Sequence, residues 1–131
     1  MNKICTSLEQ SQRLIELGID VNTADMWYDV GLGTHPSNIP QVKFNNDDKF
    51  IDCYYLYPAW SLSALMGLMP KLYDEDDPND GGCQPVLCKA FDNNMWHVIY
   101  RATWYGTDWY CEPIDAAFDM VCWLLENKKM Q

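Results

Sequence analysis

The sequence predicts an α+β fold: a small, mainly antiparallel sheet of three or four strands carrying about three helices, layered as an α/β sandwich within a single domain over residues 1–131. Three stretches predict it. Pro58–Pro70, PAWSLSALMGLMP, reads as a short buried helix between prolines. Glu112–Lys129 reads as a longer amphipathic helix. Between them, Trp96–Tyr105 alternates in the period-2 manner of a strand with one covered face.

The first helix begins near Thr6 or Ser7. Thr6 and Glu9 have capping-box spacing, as do Ser7 and Gln10. Leu8, Leu14, Ile15 and Leu17 form its apolar side, and Gly18 suits the left-handed residue that ends it. LIELGIDVNTADM has the wording of an ankyrin-repeat end, but no second copy appears at a period of about 33 residues. Leu14–Asp25 therefore reads as a helix end and a turn. Asp25–Asp48 reads as a loop, because it holds Gly31, Gly33, Pro36, Asn38, Pro40, Asn45 and Asn46. Phe50–Tyr57 is rich in β-forming aromatics and reads as a strand.

In the Pro58 stretch, Ser61 is the expected N-cap. Leu62, Leu65, Met66 and Met69 fall on one side, and the small Ser63, Ala64 and Gly67 on the other. That small side would let a further element or chain approach closely. Tyr73–Gly82 is a charged loop. Val86–Phe91 reads as a strand, Asp92–Met95 as a turn and Trp96–Tyr105 as a longer strand. Trp96, Val98, Tyr100, Ala102 and Trp104 make its covered face, and His97, Ile99, Arg101, Thr103 and Tyr105 its wetter face. A turn at Gly106-Thr107 leads to a short strand, Asp108–Cys111. In the last helix Pro113 suits the first position. Asp115 complements the positive end of the helix dipole, and Lys128 and Lys129 the negative end. Ile114, Ala117, Phe118, Val121, Leu124 and Leu125 form the stripe. Trp123 points the opposite way, beside Ala116 and Met120.

Charge narrows the partners. The net charge is −10 and the chain has two arginines, Arg13 and Arg101. Phosphate backbones and anionic membranes are held by clustered Lys and Arg, so neither nucleic acid nor membrane is an expected partner. MNKICTSLEQ has no apolar run of signal-peptide length, and no stretch approaches the ~20 apolar residues of a membrane span. A cytoplasmic location with reduced cysteines is the expectation.

Motifs for chemistry are sparse. The six cysteines form no CxxC pair, and His35 and His97 are the two histidines. A nucleophile pair of Cys88 or Cys111 with His97 would require neighbouring strands. Asp74, Glu75, Asp76, Asp77 and Asp80 place five carboxylates within seven residues. Asp74, Asp76, Asp77 and Asp80 are the candidate cation ligands, but Pro78 and Leu87 occupy the third and twelfth positions that an EF-hand counted from Asp76 would require. A solvated acidic loop is the simpler reading. The Gly31–Gly33 pair lacks the third glycine and the βα unit of a dinucleotide site. Catalytic residues, a resident metal and cofactors are therefore not expected. The extra aromatics point to contact with another chain: Trp123 with Met120 on the last helix, and Trp27 with Tyr28.

Three words carry a resemblance: CTSLEQSQRLIELGIDVNTADM (Cys5–Met26), PAWSLSALMGLMP (Pro58–Pro70) and PIDAAFDMVCWLLENK (Pro113–Lys128). In that order the chain resembles small hypothetical proteins of phages and integrated prophages of gut bacteria. The proline-bounded helix, the Trp-bearing strand and the final helix are also similar to the phage ABA-sandwich domain. The resemblance implies an origin in a mobile element and helices layered on a small antiparallel sheet. It implies no catalytic activity. The expected function is that of a non-enzymatic phage or prophage accessory protein that binds another protein or itself as a homodimer. Two alternatives are an acidic DNA mimic that inhibits a host DNA-binding or defence enzyme, and a small hydrolase or metal-dependent enzyme.

Overall fold

The computed structural model describes residues 3–29, 37–42, 56–73, 76–77, 79, 81–101 and 105–130. Helix α1 spans Leu8–Glu16, α2 Leu62–Leu68 and α3 Pro113–Glu126, with a 3-10 turn at Val21–Thr23. The strands are β1 (Met26–Asp29), β2 (Ser37–Val42), β3 (Leu56–Ala59), β4 (Val86–Lys89), β5 (Trp96–Tyr100) and β6 (Tyr105–Gly106). The fold is α+β, as the sequence predicts. Its strands divide into two small antiparallel sheets, in the orders β2-β1-β3 and β4-β5-β6, where one sheet was expected.

Both N-terminal signals of the short helices act as read. Ser7 closes a capping box: its hydroxyl accepts from Gln10 N at 3.1 Å, and Gln10 Oε1 accepts from Ser7 N at 3.0 Å. Thr6 does other work. Its Oγ1 accepts from Trp60 N at 3.0 Å and meets Ser11 Oγ at 2.8 Å, so a buried hydroxyl ties the chain's start to the end of β3. Ser61 caps α2, accepting from Ala64 N at 3.2 Å, and Asp25 Oδ1 accepts from Ser61 N at 2.8 Å. Gly18, at φ +101°, ends α1 in the left-handed conformation that lacks a Cβ penalty. Lys128 takes the same role after α3 at φ 57°. Lys129 N donates to Leu124 O at 2.8 Å and Lys128 N to Leu125 O at 3.2 Å, the bond pattern of a Schellman end.

The main core lies between α2, α3 and β5. Helices α2 and α3 pack on one another, and α3 also packs on β5. Leu65 and Met69 from α2 and its end join Val98 and Tyr100 from β5 and Ile114, Ala117, Val121 and Leu124 from α3. Trp96 packs against this cluster, and the Tyr100 hydroxyl donates to Pro70 O at 2.7 Å, pinning β5 to the end of α2. Trp60 is fully buried in the same cluster, with Nε1 donating to Thr23 Oγ1 at 2.9 Å. Cys5, Met26 and Ala59 form a smaller second cluster under Tyr28.

Several expectations are corrected. Asp25–Asp48 is no loop at its described positions, since β1 and β2 pair there in the register Met26–Val42 and Trp27–Gln41. Pro40 sits in β2 and Pro58 in β3 because both are outer strands, where a missing N–H leaves a ladder intact. Pro58 thus belongs to a strand, opposite Trp27, and α2 starts at Leu62. Of the strand expected at Phe50–Tyr57, the first six residues lie outside the described residues, and its end coincides with β3. The long strand Trp96–Tyr105 is a hairpin: β5 stops at Tyr100 and returns as β6, with Tyr100 opposite Tyr105 and Ile99 opposite Gly106. Ala102, Thr103 and Trp104 lie outside the described residues. Leu8 is exposed rather than in the core. Gly67, on the small side of α2, has no neighbour within 4 Å of an added Cβ among the described residues.

Candidate functional site

The residues nominated for contact do not converge. Met120 and Ala116 are fully buried, so the strip beside Trp123 is not exposed. A helix wedged between α2 and β5 has two covered sides, and the sequence reading gave α3 one. Trp123 is half-buried and stacks on Tyr105, ring centroids 3.8 Å apart at 13°. Its cover therefore comes from β6. Trp27 is buried in the middle strand of the first sheet, between Gln41 and Pro58. Tyr28 is half-buried. Its hydroxyl donates to Thr6 O at 2.9 Å and lies 3.4 Å from Cys5 Sγ, and burial pushes its pKa up. The four side chains are held by their own chain, on two separate elements.

The acidic loop gives no centre for a cation at its described positions. Asp76 and Asp77 are exposed, and Asp77 Oδ1 accepts from Asn79 N at 2.9 Å. Asp74 and Asp80 lie outside the described residues. No three His, Cys, Asp or Glu side chains come together to hold a metal among the described residues. Carboxylates on and before α3 have partners within the chain. Asp115 Oδ1 takes Lys3 Nζ at 2.6 Å and Gln10 Nε2 at 2.9 Å, Asp119 Oδ2 accepts from Tyr110 OH at 2.8 Å, and Glu126 Oε2 accepts from Arg13 at 2.8 Å. Asp115 and Glu126 fasten the N-terminal segment and the first helix to the last helix, and Asp119 fastens the segment after β6 to it.

Nucleophiles are similarly placed for structure. Cys5, Cys83, Cys88, Cys111 and Cys122 are unbridged. Burial raises the Cys122 thiol to about 12, helped by the Glu126 carboxylate, so it stays protonated in ordinary buffers. Burial raises Cys5 as well. Cys111 is exposed and packs its sulfur 3.6 Å from Met95 Sδ. It lines a cleft of about 420 Å³ with Lys3, Lys89, Asn94, Trp96, Glu112 and Pro113, which does not include His97. Cys88 lies directly opposite His97 on the β4–β5 ladder, and among the described contacts neither thiol bonds to the imidazole. The pair required of a Cys/His enzyme is adjacent in register but is not assembled.

What the structure does bring together is an apolar outer face on the second sheet. Leu87, Val98 and Tyr100 point into the core. Alternation then sends Val86, Cys88, His97 and Ile99 outward on the opposite face. Trp109 lies over His97, ring centroids 3.9 Å apart at 10°, and remains 45% exposed. Val86 is 37% exposed, and Phe91, at the turn between β4 and β5, is fully so. Burial lowers the His97 pKa, so the imidazole is neutral at pH 7 and the face carries no charge from it. The chain around β4 is nearly uncharged: in CQPVLCKAF, Cys83–Phe91, Lys89 is the one ionised side chain. Trp109 was not singled out in the sequence. The alternation of Trp109 with Tyr110, whose hydroxyl reaches inward to Asp119, is the signal that marks it as outward.

His97 makes this face measurable. Its folded pKa lies below the 6.5 of an ordinary imidazole, so the unfolded chain binds more protons as pH falls. The associated stability is present above about pH 6.5 and is lost as pH falls through the folded value. Melting temperature should therefore drop less steeply from pH 7.5 to 5 in His97→Gln than in the native chain. Parallel pH profiles would contradict this placement of the ring.

Comparisons with known proteins add no relative. No family model matches the chain, and no curated protein or solved structure matches it. Among the described residues no helix is long and apolar enough to cross a membrane.

Proposed function

We propose that this is a non-enzymatic protein-binding accessory protein whose contact surface is the outer face of the second sheet. The observation that carries the reading is the exposed Trp109, stacked on a neutral His97 on a sheet face that also turns Val86, Cys88 and Ile99 outward, in a chain of net charge −10. Exposed rings rimmed by polar surface are what protein contacts use, and Trp is prominent among the residues that dominate binding energy. A phage or prophage origin and action within the host cytoplasm belong to this proposal and rest on the resemblance of the three sequence words. Neither nucleic acid nor a membrane is the proposed partner, because the basic groups are not clustered in the manner those ligands require.

The test is paired capture from host lysate by the full chain and by Trp109→Ala. A protein retained by the native chain should bind the variant with roughly thirtyfold lower affinity, the effect of losing a contact worth about 2 kcal/mol. Far-UV circular dichroism should be unchanged, since nearly half of the ring is in water. Equal retention by both would refute the assignment of the surface.

A further inference from the structure

We infer that a second copy of the chain joins this sheet through the open edge of β4, so that the β4-β5-β6 sheets of the two copies become one sheet of six. The pairing uses the edge beside the docking face and leaves Trp109 open.

The ladder determines which groups the edge offers. Ala90 N donates to Met95 O at 2.8 Å, toward β5. In an antiparallel pair such bonds recur at every second residue, so Cys88 and Val86 also turn their backbone groups to β5. Leu87 and Lys89 turn theirs the other way. Among the described residues nothing pairs with that side of β4. Native edges are commonly blunted by proline, bulges or charge. Both outer strands of the first sheet carry a proline within the strand, Pro40 and Pro58, whereas β4 is VLCK with a single charge at its end.

Charge favours self-pairing at this place. Two chains of net charge −10 repel over most of their surface, but the segment Cys83–Phe91 holds no acidic residue. The strand is also complementary to itself. A two-fold axis at Cys88 sets Leu87 opposite Lys89 of the second copy, and Lys89 opposite its Leu87. All four outward N–H groups and all four outward carbonyls of the pair can then meet. Cys88 faces Cys88 of the second copy in the closer, non-hydrogen-bonded spacing, with Cα atoms about 4.5 Å apart, within disulfide range. The outward faces with Trp109 and His97 lie on the same side of the joined sheet.

Light scattering during size-exclusion chromatography of the full chain tests this. A 15.2 kDa monomer should give way to a species of twice that mass as concentration rises. Lys89→Pro removes an N–H that points to the open edge and costs no bond to β5. It should weaken association at least tenfold with the circular dichroism spectrum retained, while Lys89→Ala should associate like the native chain. Should Lys89→Pro fail to fold, mild copper-phenanthroline oxidation of the native chain replaces it. Peptide mapping should then find Cys88 joined to Cys88. A native chain that stays monomeric, a Lys89→Pro dimer as tight as the native one, or cross-links through other cysteines alone would overturn the pairing. A monomer that still captures a different protein through Trp109 would overturn this inference and leave the docking reading standing. A dimer without any lysate partner would do the reverse.

Discussion

Trp60→Ala should lower the unfolding free energy by about 3–5 kcal/mol, the largest single-residue effect expected in this chain. Trp60 is fully buried, and a ring of this kind buries roughly 150–250 Å². Its loss removes burial worth several kcal/mol and leaves a cavity between elements that cannot all collapse into it. The backbone of Trp60 is held on both sides by the N-terminal segment: Thr6 N donates to Trp60 O at 2.9 Å, and Thr6 Oγ1 accepts from Trp60 N at 3.0 Å. The indole also donates to Thr23 Oγ1. One residue thus joins the chain's start, the 3-10 turn, β3 and the entry to α2. A domain of this size is stable by about 5–15 kcal/mol, so the variant should lie near its unfolding threshold. In urea the midpoint should fall by at least ~1 M with an unchanged slope. A shift under a few tenths of a molar would mean the ring is not a core element.

Met120→Ala separates two descriptions of the last helix. If Met120 belonged to a surface strip with Trp123, truncation would change stability by less than about 0.5 kcal/mol and would weaken association. In the structure Met120 has no exposure and sits in the main core with Leu65, Val98 and Leu124. Truncation should cost about 2–5 kcal/mol. Association measured at a temperature where the variant remains folded should be unaffected. Chemical denaturation provides the first number, and light scattering of the same sample the second.

Much of the architecture is legible because its signals are local. Ser7 with Gln10, Ser61, Gly18 and Pro113 mark helix ends through bonds to backbone groups a few residues away. The inward set Val98 and Tyr100 follows from alternation alone. The errors arise where tertiary placement decides. Pro40 and Asn38 argue against a strand in isolation, but an outer strand accepts them once β1 supplies a partner. The hairpin from β5 to β6 has no glycine or proline at its bend, so the alternating pattern runs across it and reads as one strand. Met120 and Ala116 lie off the main stripe of α3, and only the second neighbour of that helix shows that they are covered.

The contact surface was less legible for the same reason. Trp123 and Trp27 are as apolar as Trp109, and no periodicity ranks the three. Tyr105 stacks on the first, the second is buried in the middle strand of the first sheet, and the third is left outward by the alternation of a short segment pairing Tyr110 with Trp96. Exposure is a property of the assembled sheets. The neutral state of His97 follows from that same assembly.

The claim that the outer face of the second sheet is where this protein docks is tested most directly by the affinity of one captured partner for the native chain and for Trp109→Ala, measured side by side at matched fold content. A loss of roughly thirtyfold with melting temperature nearly unchanged is the predicted result. Equal affinities, or a loss that appears only when the variant also unfolds, would contradict it.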